Sequence, residues 1–440
     1  MNPRALFFLI FCGTCFYWSF KKHPFWGLVA YVFLYYNVPN PMVDWWSYAV
    51  PDLRWSLSSA LVVVASISSS SAKVNKISPI SIANFRILLF LAVWMLLLTP
   101  FAVFPSLSYL KWYDFFRYCI AFPFFVKSIT DMKKFDILIW VCLFCIMNHS
   151  YLAYSHPEFR INGRLEGIGP PDSRDANMFA SFLILHVPFL IDKLLFGDKY
   201  KKAIALIILA FVLNAIVLTG SRGGLIGLAI TALTFLVNEK NRKTQFKLLI
   251  AMICAGFAFA QLMDATFIER LLAMKGSDSS GSGRTEIWGY GFQMMRDYPM
   301  GTGGWGFEYL ASRYMPEKLL TNGRRAAHNT YLLLLVEQGK IGLALWLLYW
   351  VITIYMLRKV RSTVWRFRPQ PGTDLFKVKQ YSMATEAAIV GILVVSFFVD
   401  RVYYEAFYWL GTFAPTLQYL GMKLAREEYL RIEQEQKEKS

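Results

Sequence analysis

Three short segments of this 440-residue chain carry side chains suited to holding a polyanion and taking up a proton. In Thr219-Gly220-Ser221-Arg222-Gly223-Gly224 a lone arginine sits among small residues where two apolar runs meet. A guanidinium at such a boundary is costly without an anionic partner. That partner is a ligand phosphate, a lipid headgroup or a carboxylate such as Asp175. The stretch Gly281-Ser282-Gly283-Arg284-Thr285-Glu286-Ile287-Trp288 reads as a helix start at Ser282 or Thr285. This sets Arg284 near the positive helix end, where phosphate oxygens are favoured; pairing with Glu286 or Asp297 is the plainer alternative. The third segment, Arg324-Arg325-Ala326-Ala327-His328-Asn329-Thr330-Tyr331, opens a long apolar run. A helix N-terminus disfavours the imidazolium, so His328 is expected to stay neutral and able to accept a proton. A capping or packed histidine is the competing reading. Of the four other histidines, His149 and His156 fall on the same side, while His23 and His186 lie on or toward the other.

Two further segments frame these. Gly163 to Asn177 combines Gly/Pro turns with charge: Arg164 and Arg174 could widen an anion site, Asp175 could orient an arginine or the base, and a purely structural turn fits equally well. Arg324, Arg325 and Asn329 flank His328 and are candidates for binding the same ligand. Gly301-Thr302-Gly303-Gly304-Trp305-Gly306 matches GxGxxG, but no strand–helix unit surrounds it, so a tight turn is expected rather than a dinucleotide site. There is no HExxH, no aspartate pair of divalent-metal type and no Walker A sequence. No metal and no cofactor are therefore expected.

The elements that must position these residues are membrane helices. The chain is 56% hydrophobic and only 17% charged, far from the soluble average of about 25% charged. Thirteen apolar stretches, near 5–20, 24–37, 56–71, 85–104, 112–128, 136–151, 177–195, 202–219, 223–237, 247–263, 329–357, 383–399 and 403–421, are too long and too uniformly apolar for barrel strands. The expected fold is an all-α integral membrane protein, a polytopic bundle of 12–13 transmembrane helices. The formal charge of +17 would suggest nucleic acid in a soluble protein, but its distribution excludes that partner. Of 46 basic residues, 28 fall in alternate connections, which the positive-inside rule makes cytoplasmic. That set holds 20 Lys and 8 Arg; the outer and in-span remainder holds 14 Arg and 4 Lys. Guanidinium forks suit bidentate phosphate or carboxylate recognition better than ammonium groups do, so the outer face reads as the binding face.

The chain divides into helices and a first outer loop over 1–176, helices with the SRGG boundary over 177–263, a long outer loop over 264–328, helices over 329–422 with an inner loop at 358–380, and an inner tail over 423–440. The long loop is expected to form a nearly neutral lid, helical around Thr285 to Arg296 and Phe307 to Tyr314, with a mobile Ser/Gly stretch at Gly276 to Gly283. The six cysteines lie inside apolar runs, and Cys142 and Cys145 read as packed thiols. The run Ala5 to Phe20 lacks a small-residue cleavage site and reads as an anchor.

Taken in order, Asp175-Ala-Asn177, Ser221 to Gly224, Gly283 to Trp288, Pro299 to Gly303 and His328 to Leu332 resemble the motifs of the O-antigen ligase/polymerase superfamily. The resemblance covers roughly 160–357. It implies a GT-C-type membrane glycosyltransferase in the bacterial inner membrane, with its active site and long partly helical loop facing the periplasm. It further implies a glycan donor linked to undecaprenyl diphosphate, and a catalytic role for the residues matching the family's arginines and loop histidine: Arg222, Arg284 and His328. The acceptor partner stays open between lipid A core, another glycan and a protein hydroxyl. The Lys21-Lys22-His23 turn and the stretch Asn37 to Pro41 resemble the O-glycosylation ligases that accompany exosortase systems. A flippase or transporter of lipid-linked sugars is the alternative from a different class; charges deep in the spans and a pair of related halves, which it would want, are not visible.

Overall fold

The computed structural model describes residues 2–39, 45–161, 163–262 and 281–439. Every apolar stretch falls on helix. The N-terminal part runs through α1 (Pro3–Lys21), α2 (Phe25–Tyr36), α3 (Trp55–Ser69), α4 (Ala83–Leu98), α5 (Pro105–Ser128) and α6 (Met132–Ser155). A two-stranded hairpin, β1 (Arg160–Ile161) and β2 (Arg164–Leu165), precedes α7 (Ala176–Ile184) and α8 (Val187–Phe196). Next come α9 (Lys199–Thr219), α10 (Arg222–Asn238) and α11 (Arg242–Leu262). In the long loop lie α12 (Gly281–Asp297) and α13 (Gly306–Tyr314), followed by α14 (Thr330–Trp365), α15 (Asp374–Val395) and α16 (Glu405–Lys439). The loop helices match the two expected stretches to within a turn. Most of the expected Ser/Gly hinge lies outside the described residues.

Among the described residues seven helical segments are long and apolar enough to cross a membrane, and α2, α3 and α10 are shorter apolar helices. The protein is an all-α polytopic membrane protein. Large apolar side chains such as Phe7, Leu206, Ile253 and Phe257 face outward, as a lipid-facing bundle requires. At its centre lie α7, α8 and α15, whose apolar windows are about four-fifths buried. Hydrogen bonds tie connections to one another at both ends of the bundle. Asn75 reaches the Val126 and Ile129 carbonyls at the lysine-rich end, whereas Val103 N–H meets the Thr302 carbonyl at the other.

Two local features depart from simple hydropathy. The run 177–195 is not one helix: it breaks at Leu185 and His186, just before Pro188. Proline lacks an N–H and is best accommodated in a helix's first turn. His186 fills this break in the bundle interior, its ring nitrogens bonded to the Tyr36 hydroxyl at 2.6 Å and the Phe182 carbonyl at 2.8 Å.

The second feature is a kink in α14 at Gly339, where φ is 66° and ψ −173°. The freed carbonyls of Val336 and Glu337 accept from the N–H groups of Thr302 and Gly303, each at 2.9 Å. The GxGxxG segment is thus a tight turn closed against a membrane helix. A Cβ at Gly339 would stand 2.6 Å from the Met300 carbonyl oxygen. Gly339→Ala, burdened by that clash and a positive φ, is expected to cost about 1–3 kcal/mol. Thermal unfolding of the detergent-solubilised protein measures this, and an unchanged midpoint would refute the turn-to-kink coupling.

Candidate active site

Each motif gains its place from a helix terminus. Gly220, in the left-handed region at φ 60°, ends α9. Ser221 then caps α10 by accepting from Gly224 N–H at 3.1 Å, which makes Arg222 the first helical residue. The two glycines admit protein: a Cβ on Gly223 would lie 2.7 Å from the Phe398 Cβ, and one on Gly224 2.9 Å from the Ala180 Cβ. Arg222 is thereby fixed where α10, α7 and the end of α15 meet. Arg284 lies in the first turn of α12. That helix is docked by Trp288, whose indole N–H donates to the Ala327 carbonyl at 3.1 Å, one residue before His328.

His328 holds a backbone φ of 49°, rare for a residue with a Cβ. Asp400, in the turn between α15 and α16, supports it: His328 N–H donates to Oδ2 at 3.1 Å and Asn329 N–H to Oδ1 at 2.9 Å. The same turn clamps Thr330, whose N–H donates to the Ser396 carbonyl at 2.8 Å and whose hydroxyl donates to the Val399 carbonyl at 2.6 Å. Asn329 uses its Oδ1 to cap α14, accepting from the Tyr331 and Leu332 N–H groups at 3.0 and 3.1 Å.

Asp175 caps α7 by accepting from the Asn177 and Met178 N–H groups at 2.9 and 3.2 Å. The Arg164 guanidinium bridges the Asn177 Oδ1 and the Thr219 carbonyl, both at 3.1 Å, and so ties the hairpin to the SRGG junction. Arg401, buried to 1% exposure, fastens the Asp175 region to the Asp400 turn. It donates to the Met178 carbonyl, to the Ser181 hydroxyl and, at 3.3 Å, to the Ser173 hydroxyl.

The electrostatics identify the groups that share a space. Burial pushes the His328 imidazole below the ordinary histidine value; Asp400 and Asp175 pull it up, while Arg284 and Arg325 push it down. Burial likewise lowers Arg284, as do Arg222, Arg164 and Arg325, with Asp175 opposing. A charge perturbs another appreciably only when the two lie close together. His328, Arg284, Arg222, Arg164, Arg325, Asp175 and Asp400 therefore form one cluster. Its cations are crowded, and the Arg325 Nε is buried without a hydrogen-bond partner. Such a site is better satisfied with a polyanion than empty.

Two expected members are placed differently. Arg324 stacks 4.0 Å over the Tyr309 ring at the loop surface. Arg174 lines a separate cleft against α1, α2 and α6. Sequence reasoning missed Asp400, whose signal was the charged pair Asp400-Arg401 between two apolar runs. Among the described residues no group of three or more His, Cys, Asp or Glu side chains could hold a metal ion.

Residues 205–347 match the family model for O-antigen ligase, while no curated protein matches the chain. The matched stretch contains Arg222, Arg284, Arg324, Arg325 and His328; Arg164, Arg174, Asp175, Asn177 and Asp400 lie outside it. Over that stretch, about a third of its length, this membrane protein is similar to the O-antigen ligase family.

Proposed function

We propose that the protein is a glycosyltransferase of the bacterial inner membrane that moves a glycan from undecaprenyl diphosphate to an acceptor hydroxyl at the periplasmic face. The observation that carries this reading is a histidine held toward its neutral form beside a crowd of arginines. Those are the two groups a displacement from a lipid diphosphate needs. Arg222 and Arg284, with Arg164 and Arg325 beside them, bind the diphosphate and gain strength as negative charge accumulates on the leaving oxygen. An imidazole nitrogen of His328 takes the acceptor's hydroxyl proton. The acceptor oxygen bonds to the anomeric carbon, the bond to the diphosphate breaks, and its electron pair leaves with the carrier. Direct displacement inverts the anomeric centre. Arginines supply the charge stabilisation a metal would otherwise provide, so no cofactor enters the scheme.

The acceptor is lipid A core in a ligase, a carrier-linked glycan in a polymerase, or a serine or threonine in a protein O-oligosaccharyltransferase. Asp175 and Asn177 organise the arginines, Asn329 the helix that starts just after His328, and Arg324 the loop rim.

The pH dependence tests the base. His328 must be neutral to act and its value is lowered, so kcat/KM is expected to fall only below about pH 6.5. Asp400 pulls the imidazole up, so Asp400→Asn, which keeps one acceptor oxygen, is expected to move that acidic limb to still lower pH while reducing the rate. A limb that stays in place in the variant would dissociate Asp400 from the base.

A further inference from the structure

A cavity of about 650 Å³ lies outside the site described above and contains none of its cluster. It falls within the usual range for ligand sites, about 300–1,000 Å³. Helices α1 and α6 both pack on α2 and form its walls, and the loop segment from Ile168 to Arg174 closes its outer end. The walls are apolar and open sideways: Phe7 and Phe144, which line it, are 60% and 54% exposed on the lipid-facing surface.

The closed end has the opposite character. Arg174 sits there with its Nε buried and without a hydrogen-bond partner. No other hydrogen bond or ion pair holds its side chain within the described residues. Nearby, Asn148 Nδ2 donates to Asn37 Oδ1 at 3.2 Å, and His149 Nε2 bonds to the Tyr36 carbonyl of α2 at 2.8 Å. Arg4 adds a second cation, and no Asp or Glu lines the cavity. A half-buried guanidinium with an unpartnered Nε and no carboxylate, set above a laterally open hydrocarbon cleft, lacks an anion whose remainder is apolar.

We propose that this cleft binds a phosphate-bearing lipid, with the phosphate on Arg174 and the hydrocarbon chain between α1 and α6. A membrane glycerophospholipid and a polyprenyl phosphate share this chemistry. The cleft and the arginine–histidine cluster stand on two faces of one short loop, since Arg174 is followed directly by Asp175. Binding is read without any transfer reaction, so the proposal stands or falls apart from the function proposed above.

The test is photolabelling of the delipidated full-length protein in detergent. Three probes carry a diazirine in the chain: a polyprenyl monophosphate, phosphatidylglycerol and an uncharged polyprenol. The expected result is labelling of α1 near Phe7 and of α6 near Phe144 by a phosphate-bearing probe about ten-fold above the polyprenol. Whichever phosphate-bearing probe labels more strongly identifies the source. Labelling should drop about ten-fold in Arg174→Gln and recover largely in Arg174→Lys, because a charge-assisted contact to phosphate is worth about a factor of ten. Equal labelling by the polyprenol, labelling elsewhere, or undiminished labelling in Arg174→Gln would overturn the proposal. If Arg174→Gln does not elute as the wild type does, the wild-type probe comparison alone decides.

Discussion

His328→Ala is expected to lose transfer by about 10³-fold while inserting in the membrane and binding the carrier lipid nearly as the wild type does, since general-base catalysis contributes about 10²–10⁴-fold. The separation of binding from turnover follows from how the residue is held. Its backbone is fixed by Asp400, so truncating the ring leaves the Asp400 hydrogen bonds and the α14 cap in place. The measurement pairs single-turnover transfer with retention of the carrier lipid on the purified protein. Normal transfer by the variant in a metal-free assay would remove His328 from the mechanism.

Arg222→Lys and Arg284→Lys are each expected to slow transfer by about 10²-fold, the usual consequence of losing one preorganised donor to developing negative charge. Lysine keeps the charge but offers a point donor instead of a planar fork. In the proposed displacement the arginines tighten on the leaving diphosphate as it forms, so the loss should appear mostly in kcat. The double variant should fall short of the product of the two single losses, because both guanidiniums belong to one crowded cluster in which Arg222 lowers Arg284. Wild-type turnover in Arg222→Lys would make that residue a lipid anchor and nothing more.

The helical architecture was legible because hydropathy reports burial in hydrocarbon, and every apolar stretch is helical. It could not report the break at His186, since Pro188 lies in the first turn of α8 and the run remains apolar across it. The turn formed by Gly301 to Gly303 was legible from glycine spacing alone. Its partner, the kink at Gly339, was not, because the carbonyls that receive it are 34 residues away.

The candidate site divides in the same manner. Arg222, Arg284 and His328 announced themselves at helix starts, where capping residues are readable, and the fold does gather them. Asp400 belongs to a turn 72 residues beyond His328, and nothing local in the sequence ties a lone aspartate to a distant backbone N–H. Arg164 and Arg174 looked equivalent on one loop. Only folding assigns Arg164 to the SRGG junction and Arg174 to the cleft of α1 and α6. The net charge of +17 therefore has at least three destinations: the lysine-rich connections, the arginine cluster and Arg174 in its cleft.

The central claim is that this protein breaks the bond between a glycan and its lipid diphosphate. It is tested most directly by incubating the purified full-length protein, without nucleotide or added metal, with an undecaprenyl-diphosphate-linked glycan and each class of acceptor, and weighing the products by mass spectrometry. The account predicts free carrier diphosphate in step with glycosylated acceptor, the new linkage inverted, and neither product from His328→Ala. An intact lipid-linked glycan that is merely carried across a vesicle bilayer would contradict it.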